Sequence, residues 1–210
     1  MDNCDMARKA KPKKATPDKI IAATLKMATT HPWPEISLDD IAEAVKLKPA
    51  ELKQHFASKL AILDGFNRQI DEQVAAAFGD ASEDESVRDQ LFDILMSRFD
   101  ALQPQKKAVK AILRKTVPFD PKASLCGLGA VMRSMGSALN LLGIRSKTPL
   151  GCIKIRALAA VYLRSFKIWL EDESADMAKT MAILDDGLAK IENLAQIFPR
   201  SKKINQPKAA

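Results

Sequence analysis

The chain has 210 residues, of which 47% are hydrophobic and 28% charged, and it carries a formal net charge of +7 at pH 7. This balance is typical of a globular protein and excludes a mainly disordered chain, and the length suits one domain or a small module fused to a larger one. Three widely spaced cysteines, Cys4, Cys126 and Cys152, argue against a disulfide framework or a zinc cluster and favour a reducing cytoplasm, while the polar N-terminus is not a signal peptide.

Helical periodicity runs through almost the whole chain. Apolar residues recur at steps of three and four, and no long stretch alternates as a β-strand would, so the sequence predicts an all-α fold of about nine helices. Residues 1–15 are a basic arm that we expect to be disordered on its own. Thr16 followed by Pro17 predicts the start of the first helix, and the prolines of the segment HPWP end it.

A helix-turn-helix pattern follows. Ser37 with Asp40 three positions later resembles a capping box at the start of a short second helix. The segment KLK forms a turn, and PAELKQHF, with Pro49 near its first position, forms a third helix. Ser58 caps a long fourth helix. We place a helix-turn-helix domain at residues 16–66.

Five further helices fill a C-terminal domain at residues 67–198, and a polar tail at 199–210 is too short to fold. An acidic segment, GDASEDES, and segments with proline separate these helices. The expected helices are about 87–102, 105–116, 122–143, 149–171 and 174–197.

The most apolar segment, residues 125–144, is long enough to span a membrane. It carries Arg133 and Asn140, which favours a buried helix of a soluble protein. Its apolar residues form one stripe, at Leu128, Met132, Met135, Leu139 and Leu142. We therefore expect no stable membrane insertion.

Positive charge is concentrated away from the helix-turn-helix. Residues 1–59 carry 11 basic and 8 acidic side chains, residues 60–100 carry 3 and 10, and residues 101–170 carry 13 and 1. The largest positive block therefore lies in the C-terminal domain, which counts against deducing DNA binding from net charge alone.

Residues 17–66 resemble the TetR family of transcriptional regulators. The matched positions are Ser37, Leu38, Asp39, Asp40, Ile41, Ala42, Leu47, Leu52, His55, Phe56, Ser58 and Lys59. The resemblance implies a TetR-like fold with a DNA-binding N-terminal domain and a C-terminal helical domain for ligand binding and dimerisation. Three lysines depart from the family pattern: Lys46 replaces a turn glycine, Lys48 a small polar helix cap, and Lys53 an aromatic residue.

The resemblance places the third helix in the major groove of double-stranded operator DNA, with Pro49, Ala50 and Gln54 toward bases. The residues expected to contact DNA are Ser37, Lys46, Lys48, Pro49, Ala50, Lys53, Gln54, His55 and Lys59. Glu51 either repels the DNA backbone or accepts a hydrogen bond from a cytosine amino group. The alternative is a module that keeps its apolar core and no longer binds DNA.

The last two helices predict a homodimer. Their apolar stripes, within Ile155–Trp169 and Met177–Leu194, suit half of a four-helix bundle completed by a second chain. The alternative is that both stripes are covered within one chain.

An apolar or amphipathic effector is expected to bind among helices four to eight. The candidate lining residues are Met132, Met135, Leu139, Tyr162 and Phe166. Ordinary core packing is the alternative for each of them.

The sixth helix has a basic face with Lys106, Lys110 and Arg114. This face either neutralises the acidic helices four and five, lies on an anionic membrane, or lines a site for an acidic ligand.

The segment 153–194 resembles the end of the coenzyme Q biosynthesis accessory family, whose members share the TetR fold but bind lipid or prenyl-quinone intermediates. The likeness lies in Arg156, Leu158, Ala159, Tyr162 and Leu184–Asp185. The alternative function is therefore a lipid- or quinone-intermediate-binding accessory protein of ubiquinone biosynthesis that does not bind DNA.

No catalytic constellation is present in the sequence, because it has only two histidines, His31 and His55, and no nucleophile elbow, phosphate loop or metal-ligand spacing. Cys126 and Cys152 are expected to be buried apolar residues. We predict a cytoplasmic, ligand-responsive DNA-binding regulator, most simply a repressor, that is not an enzyme and needs neither cofactor nor metal.

Overall fold

The computed structural model describes residues 17–82 and 84–193, which fold as nine α-helices and one short 3-10 helix with no β-strand. The α-helices are α1 (Pro17–Thr30), α2 (Leu38–Ala44), α3 (Pro49–His55), α4 (Lys59–Phe78), α5 (Val87–Leu102), α6 (Lys106–Thr116), α7 (Pro121–Leu141), α8 (Pro149–Trp169) and α9 (Ala178–Asn193). The 3-10 helix (Gln103–Gln105) joins α5 to α6. The predicted all-α fold is confirmed, while the basic arm, Thr16, Leu194 and the tail lie outside the described residues.

Helix starts follow from local side-chain chemistry. At five helices a side-chain oxygen accepts the backbone N–H three positions later, a donor that the first helical turn leaves unpaired. The capping residues are Ser37, Ser58, Ser86, Asp120 and Thr148. Proline begins both α7 and α8, where its missing N–H removes no intrahelical bond.

The N-terminal module consists of α1, α2, α3 and the first half of α4. Its core includes Ile20, Ile41, Leu52 and Ile62, all completely buried. α1 also packs against α6, which joins the module to the rest of the chain. The apolar periodicity of these short helices therefore produces a shared core rather than separate surface helices.

The larger helical domain contains two groups of packed helices. α8 and α9 pack on each other, and α4 packs against α5 and α7. Within it the rings of Phe99, Tyr162, Phe166 and Trp169 form an aromatic cluster with centroids 5.3–6.5 Å apart.

The apolar stripes of α8 and α9 are largely covered within this chain. Leu158, Tyr162 and Trp169 on α8 and Leu184 and Leu188 on α9 are all buried. These stripes are therefore not by themselves evidence for a second chain, and a dimer built on α8 and α9 has to use their outer faces.

The turn between α8 and α9 is organised by Asp172, so that α9 begins at Ala178 rather than at the expected Ser174. The buried carboxylate of Asp172 accepts hydrogen bonds from the N–H and Oγ of Ser174 (3.2 and 2.5 Å) and from the N–H and Oγ1 of Thr180 (2.9 and 2.8 Å). Burial alone raises the pKa of Asp172, but these hydrogen bonds outweigh it and hold the pKa well below its ordinary value.

The basic face of α6 contacts the end of α8. Lys106 Nζ donates to the backbone carbonyl of Asp172, and Lys110 Nζ donates to the carbonyl of Leu170 (3.0 Å) and the carboxylate of Glu171 (2.9 Å). Cations are favourable at a helix C-terminus, where carbonyls lack intrahelical partners. The expectation that this face neutralises helices four and five is therefore wrong for these two lysines.

The two cysteines expected in the core are on the surface. Cys126 and Cys152 are both exposed, which corrects the sequence prediction. Each lies on the outward face of the first turns of its helix, beside Leu125 and Ile153, which are 70% and 50% exposed. Among the helices of residues 17–82 and 84–193, none is long and apolar enough to cross a membrane, in agreement with the expectation for residues 125–144.

Candidate nucleic-acid interface

The turn between α2 and α3 is built around Lys46. This residue has a φ of 57°, the left-handed conformation expected where glycine is usual. Its N–H donates to the carbonyl of Glu43 (3.0 Å), and the N–H of Leu47 donates to the carbonyl of Ala42 (2.9 Å). This is the Schellman pattern of a helix end. The turn thus keeps its geometry with a lysine, at a conformational cost of about 1–2 kcal/mol.

α3 presents nearly all of its surface to solvent. Leu52 is completely buried and anchors the helix, whereas its other six residues are exposed. Lys48 precedes the helix, but its ammonium cannot accept a hydrogen bond, so only the reverse half of a capping box forms: the Glu51 carboxylate accepts the Lys48 N–H at 3.4 Å. This long bond directs Glu51 toward the helix N-terminus, where negative charge is favourable.

Eight of the nine residues expected to contact DNA are exposed, and Lys59 is half-buried. The exposed ones are Ser37, Lys46, Lys48, Pro49, Ala50, Lys53, Gln54 and His55. Ala50 and Gln54, four positions apart, share one face of α3, and Pro49 and Lys53 share a neighbouring face. The turn and α3 thereby bring seven of the nine residues together on one short segment, 46–55.

Ser37 and Lys59 have roles inside the module. Lys59 Nζ donates to the carbonyls of Trp33 (2.8 Å) and Pro34 (3.5 Å) and lies 4.8 Å from the centroid of the Trp33 ring. Partial burial lowers the pKa of Lys59, and the nearby carboxylate of Asp40 opposes this shift. Ser37 Oγ donates to that carboxylate (2.7 Å), so a phosphate contact by Ser37 or Lys59 competes with bonds that hold the module together.

The module is not basic over its described residues, because residues 17–66 carry six basic and seven acidic side chains. Near α3, Lys46, Lys48 and Lys53 are exposed and form no ion pair with another described residue. Glu43 precedes Lys46 by three positions, and Glu51 lies between Lys48 and Lys53 in sequence. Next to α3, the positive charge available to DNA phosphates is therefore that of these three lysines. Residues 1–16, which lie outside the described residues, add five basic and two acidic side chains.

A second polar cluster, which the sequence did not predict, lies inside the helical domain. Arg98 is only 3% exposed. Its guanidinium donates to the Asp71 carboxylate, to Asn67 Oδ1 (3.1 Å) and to the Tyr162 hydroxyl (3.1 Å), while Ser134 Oγ donates to Asp71 (2.8 Å). Burial alone lowers the pKa of Arg98, but Tyr162 and Asp71 outweigh it and the pKa is raised. The cluster therefore holds a charged guanidinium in the core.

A small cavity adjoins this cluster between α4, α5 and α7. Its volume is about 20 Å³, which is room for one or two water molecules and too little for a drug-sized ligand. The lining residues are Asp71, Val74, Ile94, Leu95, Arg98, Ser134, Met135, Ser137, Ala138 and Leu141.

The predicted pocket residues are only partly at this cavity. Met135 lines it, whereas Leu139 and Tyr162 are buried in the core and Met132 and Phe166 are half-buried. Sequence reasoning missed the polar lining. One residue of this lining could have been recognised in the sequence: Arg98 is a charged residue within the apolar stripe of α5. The stripe is formed by Leu91, Ile94, Leu95, Phe99 and Leu102.

Comparisons with known proteins give likenesses in structure alone. No model of a protein family matches the chain, and no curated protein matches it. A TetR transcriptional regulator from Nitrosomonas europaea ATCC 19718 superposes with a TM-score of 0.65 at 20% identity, over 83% of this chain and 96% of that one.

Two further solved structures give the same result. A TetR transcriptional regulator from Rhodococcus sp. RHA1 has a TM-score of 0.61 at 17% identity, over 83% of this chain and 93% of that one. A TetR-family regulator from Streptomyces coelicolor has a TM-score of 0.56 at 14% identity, over 87% and 82%. At these identities the likeness shows the fold, and the predicted TetR-like fold is confirmed.

Proposed function

We propose that this chain is a transcriptional regulator of TetR type that binds operator DNA through α3, works as a homodimer and responds to a small ligand, most simply as a repressor. The observation that carries the proposal is the segment 46–55. A complete turn ends α2 just before α3, and α3 is anchored to the module by its one buried residue, Leu52. The other side chains of α3 are exposed and can contact a partner.

The chemistry of the exposed α3 side chains suits a major groove. Gln54 can hydrogen-bond the N6 and N7 atoms of adenine, and Ala50 on the same face can contact a thymine methyl group. Lys48 and Lys53 contact phosphates as point charges, which positions the helix without reading sequence. Glu51, drawn toward the helix N-terminus, is better placed to cap α3 than to read a base.

The exposed apolar residues on the outer side of α8 support the proposed homodimer. Ile153 and Leu163 there are 50% and 38% exposed, although the inner stripe is covered. Burying such side chains against the same face of a second copy supplies an apolar centre for a two-fold interface. In such a dimer the two copies of α3 must lie about 34 Å apart to enter successive major grooves.

The effector is proposed to enter at the Arg98 cavity. The present volume of about 20 Å³ means that any ligand larger than water has to separate α4, α5 and α7. The polar lining by Asp71, Arg98 and Ser134 favours a ligand with hydrogen-bonding groups beside its apolar part. The lipid-binding alternative draws no support here, because a prenyl chain needs a much larger apolar volume.

Selection from random duplex DNA tests the proposal without knowledge of the operator. The full chain should enrich a palindromic sequence, and its affinity should fall steeply with salt because lysine–phosphate contacts release counterions. Lys48→Glu with Lys53→Glu should reduce affinity by about 100-fold or more and reduce the slope of log affinity against log salt by about 2.

The matched control is Lys107→Glu with Lys147→Glu, which makes the same double change of charge at exposed lysines outside the N-terminal module. It should leave binding to the selected duplex nearly unchanged. Failure of the unmodified chain to enrich any duplex at low salt contradicts the proposal, and so does an equal loss of affinity in the Lys107/Lys147 control.

A further inference from the structure

The junction of α6 and α7 exposes an unusual amount of apolar surface. The three most exposed large hydrophobic side chains in the described part of the chain lie within nine positions of one another: Val117 (57%), Phe119 (76%) and Leu125 (70%). Leu128, three positions after Leu125 and on the same side of α7, is 38% exposed. We call residues 114–128 the α6–α7 tip. Exposed apolar patches of this kind mark sites of association with a protein or a membrane.

The turn at the centre of the tip has a defined, hydrogen-bonded backbone. The N–H groups of Phe119 and Asp120 donate to the carbonyl of Thr116 (3.2 and 2.8 Å), and Asp120 Oδ1 accepts the Ala123 N–H (2.9 Å). Thr116 and Ala123 are themselves buried, so both ends of the turn are anchored in the core. Pro118 and Pro121 further restrict the backbone. The exposed side chains are therefore held outward by the fold.

The charges around the tip indicate an anionic partner. Lys115 and Lys122 flank the apolar residues, are exposed, and form no ion pair within residues 17–82 and 84–193. Asp120 is the single acidic residue between positions 101 and 170, where 13 residues are basic, and its carboxylate is occupied in capping α7. A second copy of this chain would bring the same positive charge against it, which disfavours self-association at the tip.

We propose that the α6–α7 tip docks the protein on the surface of a membrane that contains anionic lipid. Phe119, Val117 and Leu125 enter the region between headgroups and acyl chains, while Lys115 and Lys122 contact lipid phosphates and carboxylates. The association is peripheral and reversible, since it combines a few apolar side chains with a short basic flank. This binding activity goes beyond the proposed function and does not rest on it.

Sedimentation of the full chain with vesicles tests the proposal. The protein should sediment with vesicles of phosphatidylcholine and phosphatidylserine, less so as salt is added, and not with phosphatidylcholine alone. Phe119→Ser with Leu125→Ser should lower partitioning at least about tenfold, because two apolar side chains no longer enter the interface. Lys115→Glu should lower it by about fivefold or more.

The control is Leu150→Ser, at an exposed apolar position of α8 (47%) outside the tip, and it is compared with Phe119→Ser alone. It should leave partitioning unchanged, and unchanged thermal unfolding of each variant shows that the variant is folded. Three results overturn the proposal: no sedimentation with anionic vesicles, an equal loss in the control, or a change of molecular mass in the Phe119/Leu125 variant without any vesicle binding. The last result assigns the tip to a second copy of the chain.

Discussion

Replacing Asp71 with alanine tests whether an ion pair stabilises the interior of the helical domain. Asp71 supplies the carboxylate that Arg98 contacts in the core, and the other two acceptors of the guanidinium, Asn67 and Tyr162, are neutral. Because Arg98 is 3% exposed, water can replace only part of the interaction with the lost carboxylate.

The structure predicts unequal effects for the two partners. Asp71→Ala leaves a buried guanidinium without a counter-charge, which costs about 3–5 kcal/mol of unfolding free energy. The Asp71 side chain is 23% exposed, so some water reaches the site and the lower end of this range applies. Arg98→Met keeps the apolar stem and leaves the carboxylate with Ser134 and solvent, so only about 1–2 kcal/mol is lost.

The double variant should be more stable than Asp71→Ala alone, because it removes the unpaired charge as well as its partner. Urea unfolding of the four proteins measures this coupling directly. By thermal unfolding, Asp71→Ala should melt about 6–12 °C lower for a chain of this length. As a control, Arg68→Ala at the exposed Asp64–Arg68 pair should change stability by about 0.5 kcal/mol or less. A double variant less stable than Asp71→Ala would show that the charge pair does not hold this cluster.

Two further predictions concern backbone strain and pH. Lys46→Gly should stabilise the protein by about 0.5–1 kcal/mol, because the left-handed conformation costs a lysine more than glycine loses in chain entropy; Lys46→Ala keeps the strain and should give no gain in urea unfolding. The pKa of Asp172 is lowered by folding, so its carboxylate stabilises the fold above the ordinary value of 3.8 and stops doing so as the pH falls through the folded value. Asp172→Asn should therefore lose about 2 kcal/mol at neutral pH. Its unfolding free energy should approach that of the unmodified chain as the pH falls from about 3.8 toward the folded pKa, whereas a constant difference, or an equal loss in Glu173→Gln, contradicts this reasoning.

The helix-turn-helix could be predicted from sequence because its determinants are neighbours. Ser37 caps α2 through Asp40, three positions away, and Lys46 ends the same helix through bonds that span five residues or fewer. Local patterns of this length are visible in a single sequence.

The internal cluster could not be predicted because its members are far apart in the chain. Arg98 contacts Asp71, 27 positions before it, and Tyr162, 64 positions after it. In the same way, Lys106 and Lys110 donate hydrogen bonds to backbone carbonyls 60 or more positions later in the chain, at the end of α8. Periodicity shows which face of a helix is polar, but only tertiary packing decides which group that face contacts.

α4 connects the two parts of the proposed regulator. Ile62 and Gly65 lie in the N-terminal module, and Asp71 and Val74 line the cavity of the helical domain. Twelve residues of one helix, about 18 Å, separate Ile62 from Val74. The helix runs unbroken over 20 residues without a proline, so a displacement at one end reaches the other as a tilt.

In the proposed regulator, we expect the contact between α4 and the end of α3 to couple such a tilt to a movement of α3. A methyl group at Gly65 would lie 2.8 Å from the ring of Phe56, the residue that ends α3, so α4 and the end of α3 are in close contact at this point. In the proposed regulator, we expect a ligand too large for the cavity to push α4 away from α5 or α7 and to move Phe56 with it. In the proposed dimer this movement changes the spacing of the two α3 helices, and a preference of a few kcal/mol for one spacing is enough to release DNA. We expect a ligand that fits without moving α4 to have no effect on DNA binding. The proposal therefore predicts that the size of the ligand, more than its affinity, decides whether it acts as an effector.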